Sequence, residues 1–234
     1  MAHSNVGQMA NSTVWPREEG AVYHDLETPW AFWYDTKLGR HRAHPNQFFS
    51  NLHKIGSFDT LEHFWKLYLY IKRPSSLDVN SNIYLFRDGA HIAPMWGKLI
   101  QTLYLYVTDM FLECFPNGGC WILKIRKRGD MEASVLGKMW QDLVFAVIGE
   151  AFEEPDVVGV SVSIRAKEDL LTVWNADNRN DEIRFRIGEK LKEILELEPS
   201  TVIEYKYNAN SIADSSSFKN AKAYVFTPAE GSKN

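Results

Sequence analysis

Val157-Val158-Gly159-Val160-Ser161-Val162-Ser163-Ile164, followed after five residues by Leu170-Leu171-Thr172-Val173-Trp174, is the stretch whose reading decides the fold. β-Branched side chains lose rotamer freedom in a helix and pack well on a pleated surface, so both runs predict strands. Further runs of the same kind lie at Trp30–Asp35, Ile83–Phe86, Trp121–Lys127, Val202–Tyr207 and Ala223–Phe226, and an eighth falls around Phe48–Lys54. Helical spacing appears three times. It is clearest in Leu61, Phe64, Trp65, Tyr68 and Leu69 after Asp59 or Thr60 as N-cap, and it returns over Ala133–Glu150 and over Asn180–Leu195, the last closed by Pro199. Strands outnumber helices, and their alternation is too irregular for repeated βαβ units. The fold class expected is therefore α+β: an antiparallel sheet of about eight strands with three helices on one face.

The 234 residues, 45% hydrophobic and 24% charged, suit one globular domain. Polar, structure-poor composition predicts a disordered arm over residues 1–22 and a flexible end over 229–234, with the domain between 23 and 228 and a mobile loop at Ser215-Ser216-Ser217. A formal charge of −4 excludes the broad basic surface of a sequence-indifferent nucleic-acid binder, so any RNA contact must be local. Aromatic residues make up 13% and include eight Trp, side chains that either fill a core or stack on a base. Cys114 and Cys120 are too few for a disulfide framework and lack zinc-ligand spacing, which predicts reduced thiols in the cytoplasm or nucleus. No secretory signal and no membrane span are expected.

Five strings then carry a resemblance: Trp30-Ala31-Phe32-Trp33-Tyr34, Phe58-Asp59-Thr60-Leu61-Glu62 with Phe64-Trp65, Pro94-Met95-Trp96, Ile148-Gly149-Glu150 and Arg165-Ala166-Lys167. In this order the sequence resembles the translation initiation factor 4E family from about Leu26 to Phe226. The resemblance implies a curved sheet with the three helices on its convex back and a concave face that holds the 7-methylguanosine cap of messenger RNA between two aromatic rings. Those rings fall at Trp96 and Phe48, the latter where better-known members have Trp; Phe attracts a cation less strongly. Trp174 matches the ring that touches the methyl group, and Arg165 and Lys167 match the cations that meet the phosphates. Were both on a strand, residues two apart would share one face. Two further cations of the pattern are replaced by Leu170 and Cys120, which leaves Lys206 as a substitute phosphate contact.

The family pattern places a guanine-reading Glu directly after the Met-Trp, but Gly97 stands here. The 16 residues 97–112, rich in Leu, Tyr, Val and Phe, separate Trp96 from Glu113. Removing them joins Trp96 to Glu113, so Glu113 is the expected base reader. A Gly-Lys start can hide a splice donor and a Leu-Glu end an acceptor, with the frame preserved. The run is therefore either a translated short intron or a genuine loop insertion whose apolar residues require burial or a partner.

On the opposite, dorsal face, His24, Leu61, Trp65, Gln141, Asp142, Phe145 and Gly149 match positions with which the family receives a helix bearing Tyr-x-x-x-x-Leu-φ, from a scaffold initiation factor or a binding protein. Gln141 and Asp142 stand where the pattern has Leu and Glu. The partners expected are thus capped messenger RNA and such a helix, with a monomeric chain, no membrane and no cofactor. The acids Glu150, Glu153, Glu154 and Asp156 lack two-metal spacing, and His41, His44 and His53 lack a completing ligand. No phosphate-binding loop, dinucleotide fingerprint or nucleophile elbow occurs. An enzyme is not expected; a cap-binding repressor that ignores the initiation scaffold is the alternative.

Overall fold

The computed structural model describes residues 15–36, 53–89, 115–127, 131–214, 216 and 218–226. Eight strands form one antiparallel sheet: β1 (Asp25–Thr36), β2 (His53–Thr60), β3 (Ser81–Arg87), β4 (Gly119–Arg126), β5 (Val157–Ser163), β6 (Glu168–Asn175), β7 (Ile203–Tyr207) and β8 (Lys222–Tyr224). Their spatial order is β2-β1-β3-β5-β6-β4-β7-β8, a curved sheet that does not close. The expected eighth strand starts at His53, within the range proposed for it, and continues to Thr60, where Phe58 is buried opposite Trp30.

Helices α1 (Leu61–Tyr68), α2 (Met131–Ile148) and α3 (Asp181–Ile194) are those the periodicity predicts. Thr60, not Asp59, caps α1: its Oγ1 accepts from the His63 N–H at 3.2 Å, satisfying an otherwise orphan donor. Asn180 does the same for α3, accepting from Glu182 and Ile183, with Asp181 and Glu182 set at the positive end of the helix dipole. A short helix α4 (Asn208–Asp214) was not expected, because its seven residues carry no apolar period, and a single turn of 3₁₀ helix follows α1 at Pro74–Ser76.

One face of the sheet packs against the helices. Trp30, Phe32, Leu85, Trp121, Val160, Val173 and Tyr205 point into a continuous core with Phe64 of α1, Trp140, Leu143, Val144 and Val147 of α2, and Ile187 and Leu191 of α3. Trp121 lies among Phe185, Tyr205, Tyr224 and Phe226, and its Nε1 donates to the Arg184 carbonyl at 2.9 Å, so its one polar atom is satisfied inside the core.

Arg87 locks the end of β3 to the end of α2. Its guanidinium meets both carboxylate oxygens of Glu150, donates to Thr28 and to the Val157 carbonyl, and lies 4.8 Å over the Trp30 ring. Glu150 itself has φ of 53°, a left-handed conformation just after the helix end. Removing one charge of a largely buried pair strands the other. Glu150→Gln should therefore lower stability by about 3 kcal/mol in urea denaturation, and a loss under about 1 kcal/mol would mean that the pair is stabilising only to the extent of a surface bridge.

Candidate functional site

Antiparallel register lays the side chains of the concave face, opposite α1–α3, in three rows. Lys206, Cys120, Trp174, Gly159 and Phe86 form the first, Glu204, Ile122, Thr172, Ser161, Tyr84 and Trp33 the second, and Lys124, Leu170, Ser163, Asn82 and Asp35 the third. The middle of this face is apolar: Tyr84, Phe86, Cys120, Ile122, Val158, Leu170 and Trp174 form one cluster, with Trp33, Phe115, Phe218 and Ala221 against its edges. Tyr84 and Phe86 stack at 5.9 Å between centroids, and Phe86 meets Trp174 edge to face at 6.3 Å. Gly159 is required here, because a Cβ would collide with the Phe86 ring. Trp174 is 1% exposed and donates through Nε1 to Ser161 Oγ at 3.2 Å, which fixes the plane of its indole. This second aromatic cluster lies on the side of the sheet away from α1–α3, and with Tyr84 at 3% and Phe86 at 5% exposure it is packed as a small core of its own.

Cys120 and Leu170, the positions where two cations of the family pattern are replaced, both belong to that cluster, and burial pushes the Cys120 thiol well above its ordinary range. Lys206 is corrected as a phosphate contact. Its ammonium is fully buried, paired with Asp214 at 2.7 Å and bonded to the Lys219 carbonyl, so its three donors tie β7 to the turn after α4. Arg165 and Lys167 are not on a strand, so the condition for strand alignment is not met. They occupy the turn between β5 and β6, closed by the Asp169 carboxylate, which accepts from the Arg165 N–H at 2.9 Å. Strand alternation therefore does not align them. Arg165 is instead half-buried beside Asn82, while Lys167 is exposed. Burial lowers the proton affinity of Arg165, offset in part by Tyr84, Asp35 and Asp169.

The dorsal residues come together on α1 and α2. Trp65 is 43% exposed although it packs edge-on against Phe64, Tyr68 and Phe145. Leu61 precedes it by one helical turn, and Leu69 follows, 70% exposed. Such a ridge offers apolar anchors of the kind a helix-in-groove partner uses. His24 is tied to the start of α1: its backbone N–H and its Nδ1 both meet the Glu62 carboxylate, at 3.0 and 2.7 Å, and its carbonyl accepts from Leu61. These bonds hold the Glu62 carboxyl at about 2, well below its ordinary range. Asp142 pairs with Lys138 one turn earlier on its own helix, Phe145 and Gln141 are partly exposed, and Gly149 is exposed at the end of α2. Residues 15–22, expected in a disordered arm, lie against this corner: Arg17 reaches Asp25 at 2.6 Å and Asp59 at 3.3 Å, and the Glu18 N–H bonds the Tyr23 hydroxyl.

Phe48, Trp96 and Glu113, with the run 97–112, lie outside the described residues. Phe48 belongs to the β1–β2 connection, Trp96 and Glu113 to the β3–β4 connection. Asp35, Asn82, Tyr84 and Phe86 were not singled out from sequence. The available signal was alternation along β3, which sends residues 82, 84 and 86 to the face opposite Ile83 and Leu85. Two of the four acids weighed as metal ligands are engaged in ion pairs, Glu150 with Arg87 and Glu154 with Arg186.

With this geometry in place, a family model described as "Eukaryotic initiation factor 4E" matches residues 25–101 and 113–223. It resumes at Glu113 and omits 102–112, which falls inside the anomalous run. The rice protein "Eukaryotic translation initiation factor NCBP" (Oryza sativa subsp. japonica) is 31% identical over 205 residues, covering 87% of this chain and 80% of its own length. Among solved structures, that of Caenorhabditis elegans eIF4E-3 with the 4E-binding protein Mextli has a TM-score of 0.66 at 28% identity, covering 81% of this chain and 96% of that one. The structure of Ascaris suum eIF4E-3 with m7G cap has a TM-score of 0.63 at 32% identity, covering 80% and 92%.

Proposed function

The chain belongs to the eukaryotic initiation factor 4E family, and on that premise we propose that it binds the 7-methylguanosine 5′ cap of messenger RNA on its concave face and a translation partner on its dorsal face. It acts as a binding module in the cytoplasm, without catalytic turnover. The observation that carries the reading is the aromatic cluster of Tyr84, Phe86 and Trp174 on the face opposite α1–α3 of a fold whose Ascaris relative is solved with the m7G cap.

Methylation at N7 makes guanine a delocalised cation, which gains both stacking and cation–π energy between electron-rich rings. Trp96 and Phe48 serve as the two stacking walls, Trp174 meets the methyl group, and Arg165 and Lys167 attract the phosphates. The Trp65 ridge with Leu61 and Phe145 receives the partner helix, a role supported by the Mextli complex of the nematode relative. Recruitment of an initiation scaffold through a Tyr-x-x-x-x-Leu-φ helix is the favoured form of that interaction. Glu113 reads the guanine N1–H and amine once it adjoins Trp96, and residues 97–112 are foreign to the cap site. The break in the family match inside this run supports that view.

Stacking on one ring contributes about 1–3 kcal/mol, so Trp96→Ala should abolish retention on cap-analogue resin while Trp65→Ala leaves it intact and instead loses the Tyr-x-x-x-x-Leu-φ peptide. Undiminished retention by Trp96→Ala rejects the site. Deleting residues 97–112 should sharpen discrimination of methylated guanosine over adenosine caps and raise solubility, because it restores the carboxylate and removes apolar surface. A deleted chain that misfolds, or discriminates no better, makes the run a genuine structural element.

A further inference from the structure

We propose that Asp35 and Asn82 form a two-link relay that positions Arg165 for the phosphate chain, a role that depends on the cap-binding reading of the concave face. Asp35, Asn82 and Ser163 stand side by side across β1, β3 and β5, and Arg165 follows Ser163 by two residues. Asn82 Nδ2 donates to Asp35 Oδ1, and Arg165 Nη2 donates to Asn82 Oδ1 at 2.6 Å. Both relay residues are nearly inaccessible, Asp35 at 5% and Asn82 at 1%.

The chemistry of the three groups makes this order the only consistent one. An ionised carboxylate only accepts hydrogen bonds, a guanidinium only donates, and a primary amide does one at each end. The two ends of the amide have nearly the same shape, so sterics alone do not choose between an orientation and its flip. Asp35 chooses: it draws the amide nitrogen toward itself, and the oxygen is left to face Arg165. Without the carboxylate the flipped amide would set donor against donor and push the guanidinium away. The Tyr84 hydroxyl donates to the same Asp35 oxygen at 3.4 Å, which links the relay to the aromatic floor.

The rest of the guanidinium is fixed by backbone. Nη1 donates to the Ile164 carbonyl at 2.9 Å and the Ser81 carbonyl at 3.3 Å. Of the five N–H donors of an arginine, Nε–H and the second on Nη2 have no acceptor among the described residues. A planar cation held on one side with two donors remaining is suited to an anionic oxygen pair. Asp35 does not touch the ligand in this scheme; it is a positioning residue.

The test is tryptophan-quenching titration of the full chain with 7-methylguanosine monophosphate and triphosphate. Wild type should prefer the triphosphate, and Asp35→Leu or Asn82→Leu should reduce that preference about tenfold, the scale of one misdirected charge-assisted bond, with the monophosphate little affected. Asn82→Asp alone sets two carboxylates face to face and should lose the preference as well. The swap Asp35→Asn with Asn82→Asp keeps a donor facing an acceptor at each link, and should return the preference to within about threefold of wild type. This pair decides the matter where the Leu variants fail to fold. A wild-type chain that binds neither nucleotide overturns the cap reading and the relay with it. Normal wild-type binding with full triphosphate preference in Asp35→Leu, or no recovery in the swap, overturns the relay alone.

Discussion

Side chains on a strand point alternately to opposite faces, and in this sheet one face is sealed beneath three helices. That single constraint determines what the other face can be. With Trp30, Phe32, Leu85, Trp121 and Val173 committed to the helical core, their neighbours Trp33, Tyr84, Phe86, Cys120 and Trp174 are delivered to the concave side whatever their chemistry. The sheet therefore carries a large aromatic cluster beneath the helices and a smaller one, also buried, on the opposite face. The concave aromatics are held in place by the same ladder that anchors the core, so the floor of the site is preorganised by the fold.

The two functional faces are served by different physics. On the concave side a small apolar centre is bordered by polar groups whose charges are mostly paired: Lys206 with Asp214, Lys124 with Glu204, and Lys127 with Asp169. Paired charges attract a phosphate chain weakly, so the proposed reading assigns selectivity chiefly to stacking against the methylated base and to the oriented Arg165. On the dorsal side, Trp65 remains almost half-exposed in a helix that otherwise buries His63, Phe64 and Leu67. An apolar ridge of this kind is costly to leave in water unless a partner covers it. The bonds from His24 to Leu61 and Glu62, and from Arg17 to Asp25 and Asp59, stiffen the corner of the fold beside that ridge.

Much of this was legible in the sequence because the signals are local. β-Branched and aromatic runs marked the strands, Asp59 or Thr60 and Asn180 marked helix starts, and the ordered strings from Trp30 to Lys167 pointed to the family. What escaped depended on contacts between residues distant along the chain or on loop geometry. Lys206 reads as an available cation until the turn after α4 brings Asp214 against it. Strand alternation would put Arg165 and Lys167 on one face, but Asp169 folds their backbone into a turn. The Asp35–Asn82–Arg165 chain joins three segments, 47 and 83 residues apart at its two links, and no local pattern announces it.

Cap recognition by cation stacking is tested most directly by titrating the full chain, at one salt concentration, with 7-methylguanosine triphosphate and with unmethylated guanosine triphosphate. The two ligands share base, sugar and phosphates and differ in the methyl group and the positive charge it creates. A cation–π contribution of about 1–2 kcal/mol predicts binding of the methylated nucleotide about tenfold or more tighter. Equal affinities for the two nucleotides would contradict a cap-binding concave face.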